Sequence, residues 1–482
     1  MENSLLIMVL RTFSAKEMKQ FTEFVDSPYF NKNKHLKALT TQLAKLHPNF
    51  SPSKANKEKL FTKLFPKTAF RNSTMLNLLS DLYLLAQKFL VCNKPKEGDI
   101  TEQLWLMDEF YERGLDKHFK KTWEETQTKV AKSHLKDHDY YRNMAFLKQG
   151  YSIFQHDKKT NEYIQIAANR QERNEFVVRA AICWLFDVYG EVFNMERHVA
   201  IDFPFTFPLL EAMLEETQKE AYQSDSYLQI SRAALLIEKN NELADFERLE
   251  ALYEQHWREL DERMGHNVLV CLRNFCFAHR NVMPELNKKR FELNLKSLER
   301  YSLKGHYSYI NDAVFINFVK AAMDVKEFEW AENFVNKYSE LLHPDRKNGV
   351  TDYCRASILF YQQRFEEAVT ILAAIEPYND HTWYFNIKEM LLCCYYELKW
   401  DEMFIALLDS YKHTVKNRTD IAEGVRKQLQ NYAWLIGRIF KIRTQLPKSA
   451  HKLSDLNEQI STRQPNGWSE WFSRKASALT MA

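Results

Sequence analysis

The chain is poor in the residues that make tight turns: among 482 residues, ten are glycine and twelve are proline. Ordinary usage is roughly 7% and 5%, so a β-sandwich or barrel would lack the residues for its many corners. The glycines stand at 98, 114, 150, 190, 265, 305, 349, 424, 437 and 467, never closer than 13 apart. A Walker loop, a dinucleotide fingerprint and a nucleophile elbow each place glycines within a few residues of one another, so none can be written on this chain. No histidine is followed directly by glutamate and no two cysteines are spaced as CxxC, which removes the common zinc motifs. The longest stretch free of Asp, Glu, Lys and Arg runs over residues 428–437, ten residues, against the roughly 18 or more that a membrane-spanning helix needs. No membrane insertion is expected. Nor does Leu5 to Leu10, six apolar residues without a small-residue cleavage site, read as a secretory leader.

What the chain has is aromatic residues, 14% of the total, recurring with aliphatic ones three or four positions on, as in Phe21 with Phe24 and Val25 or Trp330 with Phe334 and Val335. That is helical spacing, and each such stripe predicts a buried helix face. The seven cysteines (Cys92, Cys183, Cys271, Cys276, Cys354, Cys393, Cys394) are an odd number set among apolar neighbours, as free thiols of a reducing, cytoplasmic compartment are. The net charge of +3 hides an uneven distribution. Residues 1–96 hold 16 Lys and Arg against 6 Asp and Glu, and residues 411–482 hold 13 against 5, so ends of +10 and +8 flank a middle of −15. Basic ends point to anionic partners, or to self-association of ends with middles.

Ser14 and Glu17 predict a capping box that opens a helix with Met18, Phe21 and Val25 inward. Pro28 ends it within the segment SPYFNKNK. A second helix carries Leu36, Leu39, Leu43 and Leu46 on one face. Pro48 and Pro52 flank the next loop, and a short helix ends at Phe65-Pro66. A longer helix starts at Asn72 or Ser73, with Met75, Leu79, Leu82, Ala86 and Phe89 as its stripe. Asn93 to Asp99 reads as a linker. Thereafter helix follows helix, with breaks near Gly114, Lys158 to Asn161, Asp202 to Pro208 and Met283-Pro284. The FPFTFP run from Phe203 is expected to be extended, with its aromatics packed on neighbouring helices.

Three later segments share a pattern: FEWAENFV from Phe328, FEEAVTIL from Phe365 and WDEMFIAL from Trp400. Their leading aromatics are 37 and 35 residues apart, close to the roughly 34 of a tetratricopeptide unit. Each follows an apolar helix. The aromatic at the turn, the small residue three positions on (Ala331, Ala368) and the large apolar one four later (Val335, Leu372) resemble the tetratricopeptide family. There, small residues let paired helices approach. The pattern departs at Met403, which replaces the small residue, and at the turn glycine, which is absent; the family's terminal proline survives only approximately, as Pro377. The order of SPYFNKNK, KLFTKLFP and late repeats also resembles a group of helical proteins common in Bacteroidota, a likeness that implies no activity.

Candidate chemistry is sparse. Glu340 and His343 form one Glu-x-x-His, where a di-iron bundle needs two. His134 and His138 lie one turn apart with no third or fourth ligand to name, and SHLKDHD reads better as a solvated helix end. No basic neighbour stands ready to activate the paired cysteines at 271/276 and 393/394. Glu124, Glu125, Glu215 and Glu216 read as exposed helix faces. No catalytic, metal or cofactor residue is assigned.

Two surfaces are candidates for partners. From Lys57 to Leu82 the pattern is short helix, turn, then a helix with a polar, basic start. As a helix-turn-helix it would aim Arg71, Asn72, Ser73, Thr74 and Asn77 at bases, and Lys57, Lys59, Lys63 and Lys67 at phosphates. It resembles, weakly, the DNA-binding heads that precede tetratricopeptide arrays in some bacterial regulators. The second surface follows from the tetratricopeptide likeness, which implies a concave groove lined by Lys320, Tyr353, Ser357, Phe360, Phe385, Lys388 and Tyr395. These residues would anchor a peptide unless the aromatics fill the core between hairpins.

The expected architecture is all-α. It comprises a basic helical head over 1–96, an irregular helical array over 97–310, three tetratricopeptide-like hairpins of an α-solenoid over 311–416, and basic capping helices over 417–482. The expected function is a cytoplasmic, non-catalytic scaffold or adaptor that binds a protein or peptide. The alternative is a nucleic-acid-binding regulator that uses the basic head.

Overall fold

The computed structural model describes residues 4–51, 55–93, 99–133, 135–157, 163–198, 203–305, 308–376, 381–418, 421, 423–444, 456, 458–460, 462–463 and 467–481. Among them every regular element is a helix and no strand occurs. The chain separates into two compact units, Met1–Trp105 and Leu106–Ala482.

The first unit holds α1 (Leu5–Thr12), α2 (Ala15–Asp26), α3 (Lys34–Ala44), α4 (Lys57–Leu64) and α5 (Asn72–Cys92). The capping box is formed: Ser14 Oγ accepts from the Glu17 N–H at 3.1 Å, and Glu17 Oε2 accepts from the Ser14 N–H at 2.7 Å. The Ser14 backbone N–H, and after it the Ser14 hydroxyl, hold the Glu17 carboxyl below the usual carboxylate range. The SPYFNKNK break is closed by Asn31, whose buried amide donates to the Val25 carbonyl at 3.0 Å. Phe13, Phe21 and Phe89 meet with ring centroids 5.4–5.7 Å apart and centre the core. Leu46 falls beyond α3, in a turn, and is half-buried. The membrane expectation needs one correction. With only Asp81 and Lys88 as charges, α5 is long and apolar enough to cross a membrane by length and composition; seven of its side chains nevertheless lie in the core of this unit. The linker expected at 93–99 falls largely outside the described residues.

The boundary falls within α6 (Thr101–Glu112), and the second unit continues through α7 (Asp116–Ala131), α8 (His138–Asp157), α9 (Tyr163–His198), α10 (Leu210–Glu216), α11 (Glu220–Gln223), α12 (Ser226–Asn240), α13 (Leu243–His256), α14 (Glu262–His279) and α15 (Glu285–Arg300). It continues with α16 (Asp312–Asp324), α17 (Phe328–Tyr338), α18 (Pro344–Tyr361), α19 (Phe365–Ala374), α20 (His381–Leu398), α21 (Asp401–Asn417), α22 (Glu423–Thr444) and α23 (Ser469–Met481). One apolar core spans Tyr141 to Leu293, and another spans Ile310 to Leu479. Asp225 pins the first: it caps α12 by accepting from the Leu228 N–H at 3.2 Å, and also accepts from the Tyr141 hydroxyl and, at 3.0 Å, from Arg179. In FPFTFP, Phe207 stacks on Phe193 at 4.2 Å as expected, whereas Phe203 is exposed. The break expected at 158–161 lies outside the described residues.

The helix pairs α16–α17, α18–α19 and α20–α21 are each joined by one kind of turn. Lys326, Gln363 and Lys399 take left-handed φ of 64°, 63° and 58°. The N–H of each donates to the carbonyl three residues back, and the next N–H donates five back, as in a Schellman closure. Gly114, at φ 67°, makes the same turn between α6 and α7. This turn corrects the register of the third segment. The residue equivalent to Phe328 and Phe365 is Asp401, since Trp400 occupies the cap position. The inward position three residues on is therefore Phe404, fully buried, while Met403 is 48% exposed. A left-handed side-chain-bearing residue costs about 1 kcal/mol. Gln363→Gly is accordingly expected to raise stability by up to about 1 kcal/mol, read as a higher urea midpoint at unchanged slope; a lowered midpoint would contradict the turn assignment.

Candidate functional site

Polar side chains converge inside the second core, on Glu389 of α20. Its carboxylate is buried and accepts from the Tyr411 hydroxyl at 2.7 Å and from the Trp468 indole N–H at 3.0 Å. The Tyr432 hydroxyl donates to the Glu389 backbone carbonyl at 2.7 Å and lies 3.3 Å from Cys393 Sγ. Burial pushes the Glu389 carboxyl up to about 7, although both hydrogen bonds and the charge of Lys320 pull the other way. Burial likewise lowers Lys320, against the pull of Glu389 and Asp324. Next to this cluster, Arg290 pairs with Asp324 at 2.8 Å, and the Tyr361 hydroxyl donates to the same carboxylate at 3.3 Å. These groups tie α15, α16, α18, α20, α21, α22 and the segment before α23 into one interior.

The positions implied for a peptide groove fall in this interior. Tyr353, Ser357, Phe360, Phe385 and Tyr395 are all buried, and Ser357 Oγ spends its proton on the Tyr353 carbonyl at 2.8 Å. Tyr353 packs on Trp383, Phe360 on Phe365 and Trp468, and Phe385 on Tyr411. Only Lys320 and Lys388 reach partial exposure, with their ammonium groups over the rings of Tyr353 and Tyr384 at 5.9 and 5.7 Å. The expectation of aromatic anchors for a peptide is therefore corrected: these rings fill the space between helix pairs and leave no face for a ligand.

In the first unit, Lys59, Lys63, Lys67, Arg71, Asn72, Ser73 and Asn77 are exposed, and Lys57 and Thr74 are half-buried. Asn56 caps α4 by accepting from the Glu58 and Lys59 N–H groups, whereas Arg71 gives α5 no side-chain cap. Lys45, Lys59 and Lys63 line an open cleft of about 660 Å³ together with Glu58. Elsewhere, His138 opens α8 beside Asp139 at 3.4 Å, and His134 lies outside the described residues. Among the described residues no group of three His, Cys, Asp or Glu is placed to hold a metal. All seven thiols are free, and burial pushes Cys276 and Cys394 up to about 12, away from reactivity.

No family model, curated protein or solved structure matches the chain.

One surface was missed by the pattern reading. Along α9, Val177, Ala181, Trp184, Val188 and Met195 recur at spacings of four, three, four and seven and share one side of the helix. All are exposed, Trp184 by 63%. The opposite side, with Ile182, Cys183, Phe186 and Tyr189, is buried on α8 and α12. From Phe176 to Gly190 the only charges are Arg179 and Asp187. That signal was available: a helix apolar on two sides, where a surface helix needs one. A second exposed apolar face lies on α5, where Leu76, Leu84, Leu90 and Val91 are 42–77% exposed.

Proposed function

We propose that the chain is a cytoplasmic, non-catalytic helical-repeat scaffold or adaptor whose α9 face binds another protein. The observation that carries this reading is the band from Val177 to Met195. A tryptophan left largely in water amid aliphatic neighbours is the composition of an interface centre rather than of a solvated helix face. Glu191 lies in the same band, and the middle of the chain is net negative. The matching partner therefore presents an apolar surface flanked by basic groups. The exposed face of α5 supports the same reading.

The second reading, a nucleic-acid-binding regulator, is favoured by the exposure of Lys59, Lys63, Lys67, Arg71, Asn72 and Asn77 around the α4–α5 turn. One experiment separates the two. Full-length protein and its Trp184→Asp variant are used as baits, with and without nuclease treatment. The scaffold reading expects a protein captured by the wild type, insensitive to nuclease, and lost by the variant at an unchanged melting temperature. Capture that survives Trp184→Asp and disappears with nuclease would favour the regulator.

A further inference from the structure

Between α21 and α22 lies a cleft of about 360 Å³ lined by Lys412, Val415, Lys416, Gln430, Ala433, Trp434, Gly437, Arg438 and Lys441. Four of these side chains are cationic and none is acidic. Lys412 and Lys416 are one turn apart on α21, while Arg438 and Lys441 stand three apart on α22, so the two helices set like charges around one space. Among the described residues no carboxylate pairs with any of the four. The Arg438 Nε is buried and has no hydrogen-bond partner among the described residues. A guanidinium N–H withdrawn from water without an acceptor costs stability.

The walls of the cleft are built. Trp434 forms one side, with the Arg463 guanidinium 4.1 Å and the Arg438 guanidinium 5.9 Å from its ring centre. Arg463 is itself fixed by the Asn431 side chain, to which it donates at 3.0 Å. At Gly437 a Cβ would stand 3.3 Å from Leu408 Cδ2 and 3.9 Å from Lys412 Nζ.

We infer that this cleft is a binding site for a small, soluble, phosphate-bearing anion, with Arg438 as the forked donor and Lys412, Lys416 and Lys441 as point charges. Guanidinium suits the oxygens of a phosphate, and the ammonium groups add charge without fixing geometry. The size of the cleft falls in the range of small-ligand sites, roughly 300–1,000 Å³. The site is independent of the α9 face, so either assignment stands if the other fails.

The test is isothermal titration of the full-length protein with sodium tripolyphosphate at near-physiological ionic strength, alongside thermal melts. Saturable binding is expected, with a dose-dependent rise in melting temperature that sodium chloride of equal ionic strength does not reproduce. Arg438→Gln is expected to weaken binding at least about tenfold, the loss of one charge-assisted hydrogen bond. Lys416→Gln, a substitution at an exposed position, is expected to weaken it less, and both variants to melt near the wild-type temperature without ligand. Equal affinity in the wild type and Arg438→Gln, or no saturable binding, would overturn the site. A single-stranded oligonucleotide or phosphoinositide vesicles binding where tripolyphosphate does not would overturn the small-anion assignment.

Discussion

Replacing Ala368 with arginine is expected to unfold the second half of the chain at temperatures where the wild type is intact. Ala368 has no exposed surface and sits where α19 packs on α18 and α20. An arginine there must either bury a charge without a partner or push the helices apart, and either outcome costs about 4 kcal/mol or more. The third helix pair supplies the control. Met403→Arg, at the exposed position that plain alignment of the aromatics would place inward, should change stability by no more than about 0.5 kcal/mol. Phe404→Ala should cost about 3–5 kcal/mol. Denaturation followed by far-UV circular dichroism reads all three. A destabilised Met403→Arg beside a tolerant Phe404→Ala would overturn the turn-based register.

The second large effect is a pH dependence of stability centred on Glu389. Its folded-state carboxyl titrates near 7, above the ordinary 4.5 of a glutamate, so the folded chain holds this proton more tightly than the unfolded chain does. The stability it contributes is fully present below about pH 4.5 and is lost as pH rises through 7, a change of about 3 kcal/mol. Asp187, pushed by burial up to about 6 from 3.8, adds a loss of the same sign at lower pH. Glu389→Gln keeps an acceptor for the Trp468 N–H and can donate to the Tyr411 hydroxyl. The variant should be the more stable protein at pH 8, and its unfolding free energy should be flatter between pH 5 and 8. A variant less stable than the wild type at pH 8, with the slope unchanged, would show that Glu389 is ionised in the fold at neutral pH.

Much of the architecture was legible because it is written in local chemistry. Ser14 and Glu17 specify a helix start that needs no tertiary information. The stripe from Met75 to Phe89 names its own inward face. The turns between the later helix pairs were harder. Their left-handed positions are held by Lys326, Gln363 and Lys399, residue types that no turn rule marks, so the aromatic Trp400 drew the third alignment one residue out of register. The Glu389 cluster was out of reach for another reason: Tyr411 and Trp468 lie 22 and 79 residues away in the chain, and no spacing rule connects them. The groove positions failed because likeness to a repeat family indicates which helix a side chain stands on. It does not say how large the neighbours across the gap are, and here Trp383, Tyr411 and Trp468 close it.

The α9 band was legible in principle. Fifteen residues with two charges and apolar positions on both sides announce a helix that one neighbouring layer cannot cover. What the pattern lacked was which side the fold leaves open, and the packing of α8 and α12 against Ile182, Cys183, Phe186 and Tyr189 decides that.

The most direct measurement is hydroxyl-radical footprinting of the full-length protein, free and in complex with a protein captured in the bait experiment. Trp184 and Met195 are both reactive side chains and both exposed in the free chain. If α9 is the binding face, their oxidation should fall sharply in the complex, while Tyr353, Tyr395 and Trp383, buried in either state, stay unreactive. Unchanged oxidation of Trp184 and Met195 in a complex that protects a different surface would contradict the account.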